Sequence, residues 1–227
     1  MEKHYRHEYK YLISAESAML LKHRLPHIMK LDPHVAEKGQ YTIRSLYFDD
    51  LAYNAFYEKV SGIDERTKYR IRCYDYNMSL FRLEKKEKKG HLTRKTGQTI
   101  SLADVQVLQN ASWERCPDTT GGLVEELRLC CIGKGLKPVV LVDYDRTPFV
   151  CADGNTRITL DENLRTVPYC TDLFGPIHAM CPVMENGQVI LEVKFDDFLP
   201  GHLSVVLGDV PKIPMAISKF AMCLNVI

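Results

Sequence analysis

Charged side chains recur at every second residue in several segments of this chain, the spacing that gathers them on one face of a β-strand. In Lys68-Tyr69-Arg70-Ile71-Arg72-Cys73-Tyr74, one face carries Lys68, Arg70, Arg72 and Tyr74, and the other carries Tyr69, Ile71 and Cys73. Arg82, Glu84 and Lys86 share a face opposite Phe81 and Leu83. Glu192 and Lys194 lie opposite Val189, Leu191, Val193 and Phe195, and Glu8 and Lys10 lie opposite Tyr9 and Tyr11. Arg44 and Arg146 are single cations in otherwise apolar or aromatic strands. Arginine forks grip phosphate oxygens in pairs, and lysine acts as a mobile point charge. A few carboxylates in such a field point to Mg²⁺ or Mn²⁺ shared between protein and phosphate oxygens.

An antiparallel sheet with one wet face shows the same alternation. Two details argue for more than that. The polar faces use Arg, Lys and Glu almost exclusively, and Glu192 and Lys194 sit in a strand apolar enough to lie well inside a sheet. A closed or nearly closed barrel with a charged interior accounts for both. Burying charge is expensive unless a partner compensates, and a polyanion with a divalent metal is such a partner. The candidate cations are Lys10, Arg44, Arg70, Arg72, Lys86, Lys95, Arg146, Arg157, Lys194 and Lys219, against Glu8, Glu84 and Glu192. The whole chain has 30 Lys+Arg and 29 Asp+Glu, a net charge of +1, so the proposed excess comes from sorting of charge. The inferred ligand is an extended phosphate chain.

The elements that must position these residues are mostly strands. Segments Tyr5–Ile13, Tyr41–Phe48, Thr67–Tyr74, Leu80–Lys88, Val139–Arg146, Arg157–Leu160 and Val189–Asp196 read as strands, with a turn over 75–79 joining two of them as a hairpin. A helix is expected from Ser14, whose hydroxyl suits the cap, ending or kinking near Pro26. Ser101 and Asp104 form a capping-box pattern for a helix to about Asn110. A further helix spans Leu123–Ile132 with Gly133 as its stop, and a last one follows Pro214. Strands outnumber helices and are joined by short turns, so the expected class is α+β with an antiparallel sheet.

At 227 residues, 45% hydrophobic and 26% charged, the composition is that of an ordinary folded domain, and one domain over 1–227 is the simplest organisation. The first residues are charged, without the apolar stretch of a signal peptide, and no run approaches the length of a membrane span. A cytoplasmic location is expected. Eight cysteines without a CxxC are then expected to be reduced and buried. The eight scattered histidines form no zinc motif. Walker A and GxGxxG motifs are absent, which disfavours those nucleotide folds. The basic run Lys85-Lys86-Glu87-Lys88-Lys89 with Arg94-Lys95 comes without an RNA-binding signature, so no nucleic-acid partner is expected.

In order along the chain, Arg6-His7-Glu8-Tyr9-Lys10-Tyr11, Arg44-Ser45-Leu46-Tyr47-Phe48-Asp49, the Lys68–Tyr74 segment, Leu83-Glu84-Lys85-Lys86, Tyr144-Asp145-Arg146-Thr147, Leu191-Glu192-Val193-Lys194-Phe195 and Ser218-Lys219-Phe220 resemble the catalytic domain of the vacuolar transporter chaperone (VTC) family. That family is a polyphosphate polymerase branch of the triphosphate tunnel metalloenzymes, relatives of the CYTH proteins. The resemblance implies an eight-stranded antiparallel tunnel with helices outside. It implies phosphotransfer from ATP or another triphosphate onto polyphosphate, with Arg70, Arg72, Lys86, Arg146 and Lys219 catalytic. Lys10, Arg44, Lys95, Arg157 and Lys194 would bind phosphate, and Glu192, Glu8 and Glu84 would serve the Mn²⁺ or Mg²⁺.

CYTH-type triphosphatases open with Glu-x-Glu-x-Lys, and here Arg6 stands at the first Glu position, which leaves one carboxylate fewer. That departure favours polymer synthesis over hydrolysis. A triphosphatase in the same tunnel and a non-catalytic polyphosphate-binding module are the alternatives. A regulatory domain and membrane anchor of the eukaryotic kind are not expected, so polymer export is expected to call for a separate membrane protein.

Overall fold

The alternating segments do form strands, and hydrogen bonding joins them into a single mixed-length sheet. A computed structural model describes residues 6–35, 39–89, 92–110, 121–175 and 179–226. Eight long strands carry the sheet: β1 (His7–Ser14), β3 (Tyr41–Asp49), β4 (Arg66–Tyr74), β5 (Phe81–Lys89), β6 (Leu92–Ile100), β7 (Lys137–Cys151), β8 (Thr156–Thr166) and β10 (Gln188–Phe195). Three two-residue strands complete it: β2 (Lys30–Leu31), β9 (Cys181–Pro182) and β11 (Ile213–Pro214). The helices are α1 (Ala15–Arg24), α2 (Asn54–Val60), α3 (Leu102–Gln109), α4 (Gly122–Lys134), α5 (Gly201–Gly208) and α6 (Lys219–Leu224).

The strand order is β11-β1-β10-β8-β7-β3-β4-β5-β6, with β2 beside β7 and β9 beside β8. The α+β class and the antiparallel sheet with packed helices therefore hold, and the closed eight-stranded barrel does not. Among the described residues the sheet is open, with 11 strands and with β6 and β11 at the two ends of its path. Alternation of side chains specifies faces. Closure is decided by whether two end strands pair, and alternation carries no signal for that.

The chain divides into two compact units. The first comprises Met1–Thr42, Tyr144–Leu164 and Met184–Ile217, and the second Ile43–Asp143, Arg165–Val183 and Ser218–Ile227. In the first unit β10 lies between β1 and β8. Ile13, Val189, Leu191, Val193, Ile158 and Leu160 pack with Ala18, Leu21 and Leu25 at α1 and with Leu203 and Leu207 of α5. Each such buried side chain contributes about 1.5–3 kcal/mol relative to exposure. The Ser14 hydroxyl accepts from the Ser17 amide at 3.2 Å, so the expected cap forms. Pro26 sits in a 3₁₀ turn, Leu25–His27, which closes the helix. Gly154 in the β7–β8 turn has φ +61, and a Cβ there would lie 2.3 Å from the Phe198 carbonyl oxygen, so only glycine fits.

In the second unit, Leu46, Phe48, Ile71, Cys73, Phe81, Leu83 and Leu141 pack with Val105 and Leu108 of α3 and Leu123, Val124, Leu127 and Cys131 of α4. The Ser101–Asp104 capping box closes as expected. Helix α4 runs on through Gly133 and stops at Gly135, which adopts the left-handed conformation. The last helix begins at Lys219, later than its apolar pattern indicates, because the Ser218 hydroxyl caps it. Strand β6 and helices α2 and α5 were not evident from pattern: β6 mixes Thr, Arg, Lys, Gly and Gln without a clean apolar face. Tyr5 lies outside the described residues. All described cysteines are free, with Cys73, Cys131 and Cys223 buried and Cys181 exposed. No helix among the described residues is long and apolar enough to cross a membrane.

One charged pair lies inside the second core. Arg44 shares its face of β3 with Leu46 and Phe48, so it points away from Ser45 and Tyr47. Its Nε donates to both Asp143 carboxylate oxygens at 3.1 Å, and its Nη1 donates to the carbonyls of Leu173 (3.2 Å) and Gly175 (2.8 Å). Tyr76 donates its hydroxyl proton to Asp143 at 3.1 Å. Burial pushes the Asp143 pKa up against the pull of Arg44. Arg44→Met would strand this carboxylate, and a loss of about 3–5 kcal/mol in urea unfolding is expected. The double substitution Arg44→Met with Asp143→Leu should recover most of it.

Candidate functional site

Three strands of the second unit build the most charged surface. Register pairs Arg66 with Lys88, Lys68 with Lys86, Arg70 with Glu84 and Arg72 with Arg82 across β4 and β5. It continues from Lys86 to Lys95, Glu84 to Gly97 and Arg82 to Thr99 on β6. Directly opposed residues share a face. This face therefore holds eight cations (Arg66, Lys68, Arg70, Arg72, Arg82, Lys86, Lys88 and Lys95) and one carboxylate, Glu84. Its other side is the apolar core, which fixes which residues turn inward.

Glu84 is 2% exposed. Its Oε2 accepts from Arg70 Nε and Nη2, each at 2.7 Å, and lies 3.6 Å from Arg72 Nη2, while Lys95 contacts Oε1. Burial opposes this carboxylate's charge, but Arg70, Arg72 and Lys95 outweigh it and hold the carboxyl far below its usual range. Glu84 is thus a fixed counter-ion for three cations. Tyr47 accepts from Arg70 Nη1 at 2.7 Å and packs in a tilted ring contact, centroids 5.1 Å apart, against Phe220 of α6, beside Lys219. Lys68 Nζ sits 4.2 Å above the same Phe220 ring. Arg72 is 6% exposed and Ser45, its cross-strand partner, is 0% exposed. Yet Arg72 Nε and Ser45 Oγ have no hydrogen-bond partner among the described residues. A buried donor left unmatched marks a place where another group belongs.

Loss of hydration, reinforced by neighbouring cations, lowers two lysines. Loss of hydration, with Arg66 and Lys59 nearby, pulls Lys68 down to about 7. Loss of hydration around its ammonium, then Arg72 and Arg70, brings Lys95 to about 7, although half its side chain is exposed.

The first unit carries a second cluster of a different character. Glu8 pairs with Lys194 and Lys10 with Glu192 across β1 and β10, and Lys194 faces Arg157 and Glu192 faces Thr159 on β8. Lys10 Nζ lies 3.0 Å from Glu8 Oε1 and 3.6 Å from Glu192 Oε2. Lys194 contacts the other Glu192 oxygen. Arg157 bonds Asp32 (2.7 Å) and the Tyr41 hydroxyl (3.1 Å). Arg146 forms a two-toothed pair with Asp161, at 2.6 and 2.7 Å. Burial works against the Arg146 charge, and Asp161 more than offsets it, with Glu192 adding to the same effect. Two carboxylates close enough to share one ammonium fit a hard cation that draws its other ligands from phosphate and water. Among the described residues no group of three or more His, Cys, Asp or Glu side chains is arranged to hold a metal.

Of the residues singled out from sequence, Arg70, Arg72, Lys86, Lys95 and Glu84 come together in the second unit, with Lys219 beside the ring that supports Lys68. Glu8, Lys10, Arg157, Glu192 and Lys194 come together in the first, with Arg146 near enough to sense Glu192. Arg44 joins neither. Pattern reading passed over Ser45, Tyr47, Asp32 and Asp161 as site residues. Asp161 was hidden because β8 continues to Thr166, well past Leu160. Lys68 and Arg82 were visible on the right faces.

This fold is shared with solved structures of low sequence identity. A candidate adenylate cyclase from Bacillus halodurans aligns over 95% of each chain at TM-score 0.54 and 17% identity. A Hippeastrum protein, a candidate adenylyl cyclase with a dominant triphosphatase activity, aligns over 96% of this chain and 94% of its own, at TM-score 0.57 and 16% identity. A protein from Pyrococcus horikoshii aligns over 97% of this chain and 99% of its own, at TM-score 0.50 and 13% identity. No curated protein sequence matches. The VTC domain family matches residues 5–227, and the chain belongs to that family.

The Lys68 shift has a testable sign. Its folded pKa lies below the ordinary 10.5, so the unfolded chain binds more protons between about pH 7 and 10.5. Its contribution to stability then rises with pH across that window. Lys68→Met removes the penalty, so the variant's advantage in Tm over wild type should be largest below pH 7 and shrink toward pH 10. Thermal unfolding across that range checks this.

Proposed function

We propose that this chain is a phosphotransferase that moves the γ-phosphate of ATP onto a growing polyphosphate chain. The observation that carries the reading is the eight-to-one cationic face of β4, β5 and β6, with Arg72 Nε buried and unmatched within it. Membership in the VTC domain family supports it, as does a fold shared with a protein of dominant triphosphatase activity.

Phosphoryl transfer asks the protein for positioning and charge neutralisation more than for a nucleophile of its own. Arg70 and Arg72, preset by Glu84 and Tyr47, present guanidinium donors to the triphosphate. Lys86 and Lys219 add charge as it spreads over the transferred group. A terminal phosphate oxygen of the acceptor chain forms a bond to the γ-phosphorus, the bond from that phosphorus to the bridging oxygen breaks, and ADP leaves with the electron pair. Glu8 and Glu192 would hold the Mn²⁺ or Mg²⁺, with Lys10, Lys194, Arg157 and Arg146 around them. When bound, the ion neutralises phosphate charge and orients the oxygens. Cytoplasmic placement and a separate membrane protein for export complete the proposal.

A triphosphatase reading rests on the same face, with water as acceptor, and the Hippeastrum relative favours it. Incubation with ATP and Mn²⁺ followed by sizing of products separates the two. Long phosphate chains with ADP are expected, and orthophosphate with ADP would assign hydrolysis instead. Arg70→Ala and Arg72→Ala should each lower turnover about 100-fold or more with the fold intact by circular dichroism, as for loss of a transition-state donor. Full activity in either variant overturns the assignment of that arginine. Glu192→Gln should abolish the response to added metal.

A further inference from the structure

Lys10, Glu192 and Thr159 stand opposite one another on β1, β10 and β8, so the three share the charged face of the first unit. Glu8, Lys194 and Arg157 form the next rung. Each cation in the two rungs has a carboxylate partner. Thr159 breaks that balance. It is 2% exposed, and its Oγ1 has no hydrogen-bond partner among the described residues. A buried hydroxyl left unmatched costs stability that an apolar side chain of the same shape would not. Valine has that shape and suits a strand at least as well. Threonine at this position therefore holds its oxygen for a group that arrives from outside the fold.

The neighbours set the chemistry of that group. Glu192 is the residue directly across from Thr159, and Glu8 lies one rung further along on β1. Position 6, where a further carboxylate would extend this set, holds Arg6. Its Nε pairs with Asp196 at 2.8 Å and its Nη2 donates to the Asn155 carbonyl, so it adds no oxygen to the cluster. A hard divalent cation accepts neutral oxygen ligands as well as carboxylates. The Ser or Thr hydroxyl of a P-loop binds Mg²⁺ in this way.

We infer that Thr159 Oγ1 is a neutral oxygen ligand for the divalent ion assigned to Glu8 and Glu192, a third protein oxygen that brings no charge. This rests on the metal assignment under the proposed function and adds a residue to it. Affinity for such an ion is tuned by the charge count of its ligands. A hydroxyl in place of a carboxylate leaves more of the ion's charge for oxygens other than the protein's. The stability lost at an unmatched Thr159 in the metal-free protein is recovered when the ion binds.

The test measures Mn²⁺ binding in the absence of nucleotide, by titration calorimetry and by loss of the free ion's paramagnetic resonance signal. Wild type, Thr159→Val and Thr159→Ser are compared, with melting temperatures taken with and without the ion. Thr159→Val should weaken Mn²⁺ binding about tenfold or more, and Thr159→Ser, which keeps the hydroxyl, should stay within about twofold of wild type. Without metal, Thr159→Val should melt about 3 °C or more above wild type, because an unmatched hydroxyl is gone. Saturating Mn²⁺ should raise the Tm of wild type by more than that of Thr159→Val. Unchanged Mn²⁺ affinity in Thr159→Val overturns the assignment, and so does a wild type that binds no Mn²⁺. A lower metal-free Tm for Thr159→Val also overturns it, since the hydroxyl would then be bonded within the fold. An equal loss in Thr159→Ser would trace the effect to packing, and a matching loss in metal-free tripolyphosphate binding would give the hydroxyl to phosphate; either result overturns the ligand. If Thr159→Val loses Mn²⁺ while wild type leaves ATP unchanged, the phosphotransferase reading falls and the ligand stands. If wild type makes polyphosphate and Thr159→Val binds Mn²⁺ as well as wild type does, the ligand falls and the phosphotransferase reading stands.

Discussion

Electrostatic self-repulsion on the β4–β5–β6 face is the constraint around which the second unit is organised. Eight cations face one carboxylate across three hydrogen-bonded strands. Strand pairing alone does not offset such a density of like charge. The other side of the same strands does, because Ile71, Cys73, Phe81 and Leu83 are locked into a core with α3 and α4. Glu84 contributes from within, drawing Arg70, Arg72 and Lys95 onto one buried anion. What remains is a positive surplus already held in place. Under the proposed function, a polyanion would meet donors whose orientation cost folding has met, the general route to affinity by preorganisation.

The two charged clusters solve opposite problems. In the first unit, Lys10, Lys194, Arg157 and Arg146 each have a carboxylate, in Glu8 and Glu192, Glu192, Asp32 and Asp161 respectively. Such matching keeps ions charged at low exposure, since breaking a buried pair costs several times what a surface pair contributes. In the second unit eight cations share a face with one carboxylate, Glu84, and loss of hydration followed by the neighbouring cations brings Lys68 and Lys95 down to about 7. On the proposed function, the balanced cluster is the one assigned to the metal ion and the cationic face the one assigned to phosphate.

Arg44 shows how far a face assignment matters. Its sequence setting resembles that of a phosphate ligand, yet it shares parity with Leu46 and Phe48 and ends in the core against Asp143. Counting positions from the apolar residues of β3 would have placed it there, because period two leaves no choice of side. Ser45 and Tyr47, one and three positions further along β3, reach the charged side instead.

Sequence alone determined the strands that carry alternating charge, the α+β class, the caps at Ser14 and Ser101, and most of the charged residues on each face. These follow from local chemistry: strand period, side-chain type and capping hydroxyls act within a few residues. Tertiary structure alone decided that the sheet is open, that β6 joins it as an end strand, and that the charges divide into one balanced and one surplus cluster. Pairing of β5 with β6 aligns Lys95 with Lys86 and sets it beside Glu84, and β8 runs on to bring Asp161 under Arg146. Register between strands is a long-range choice made by the core, and no single segment contains the information for it.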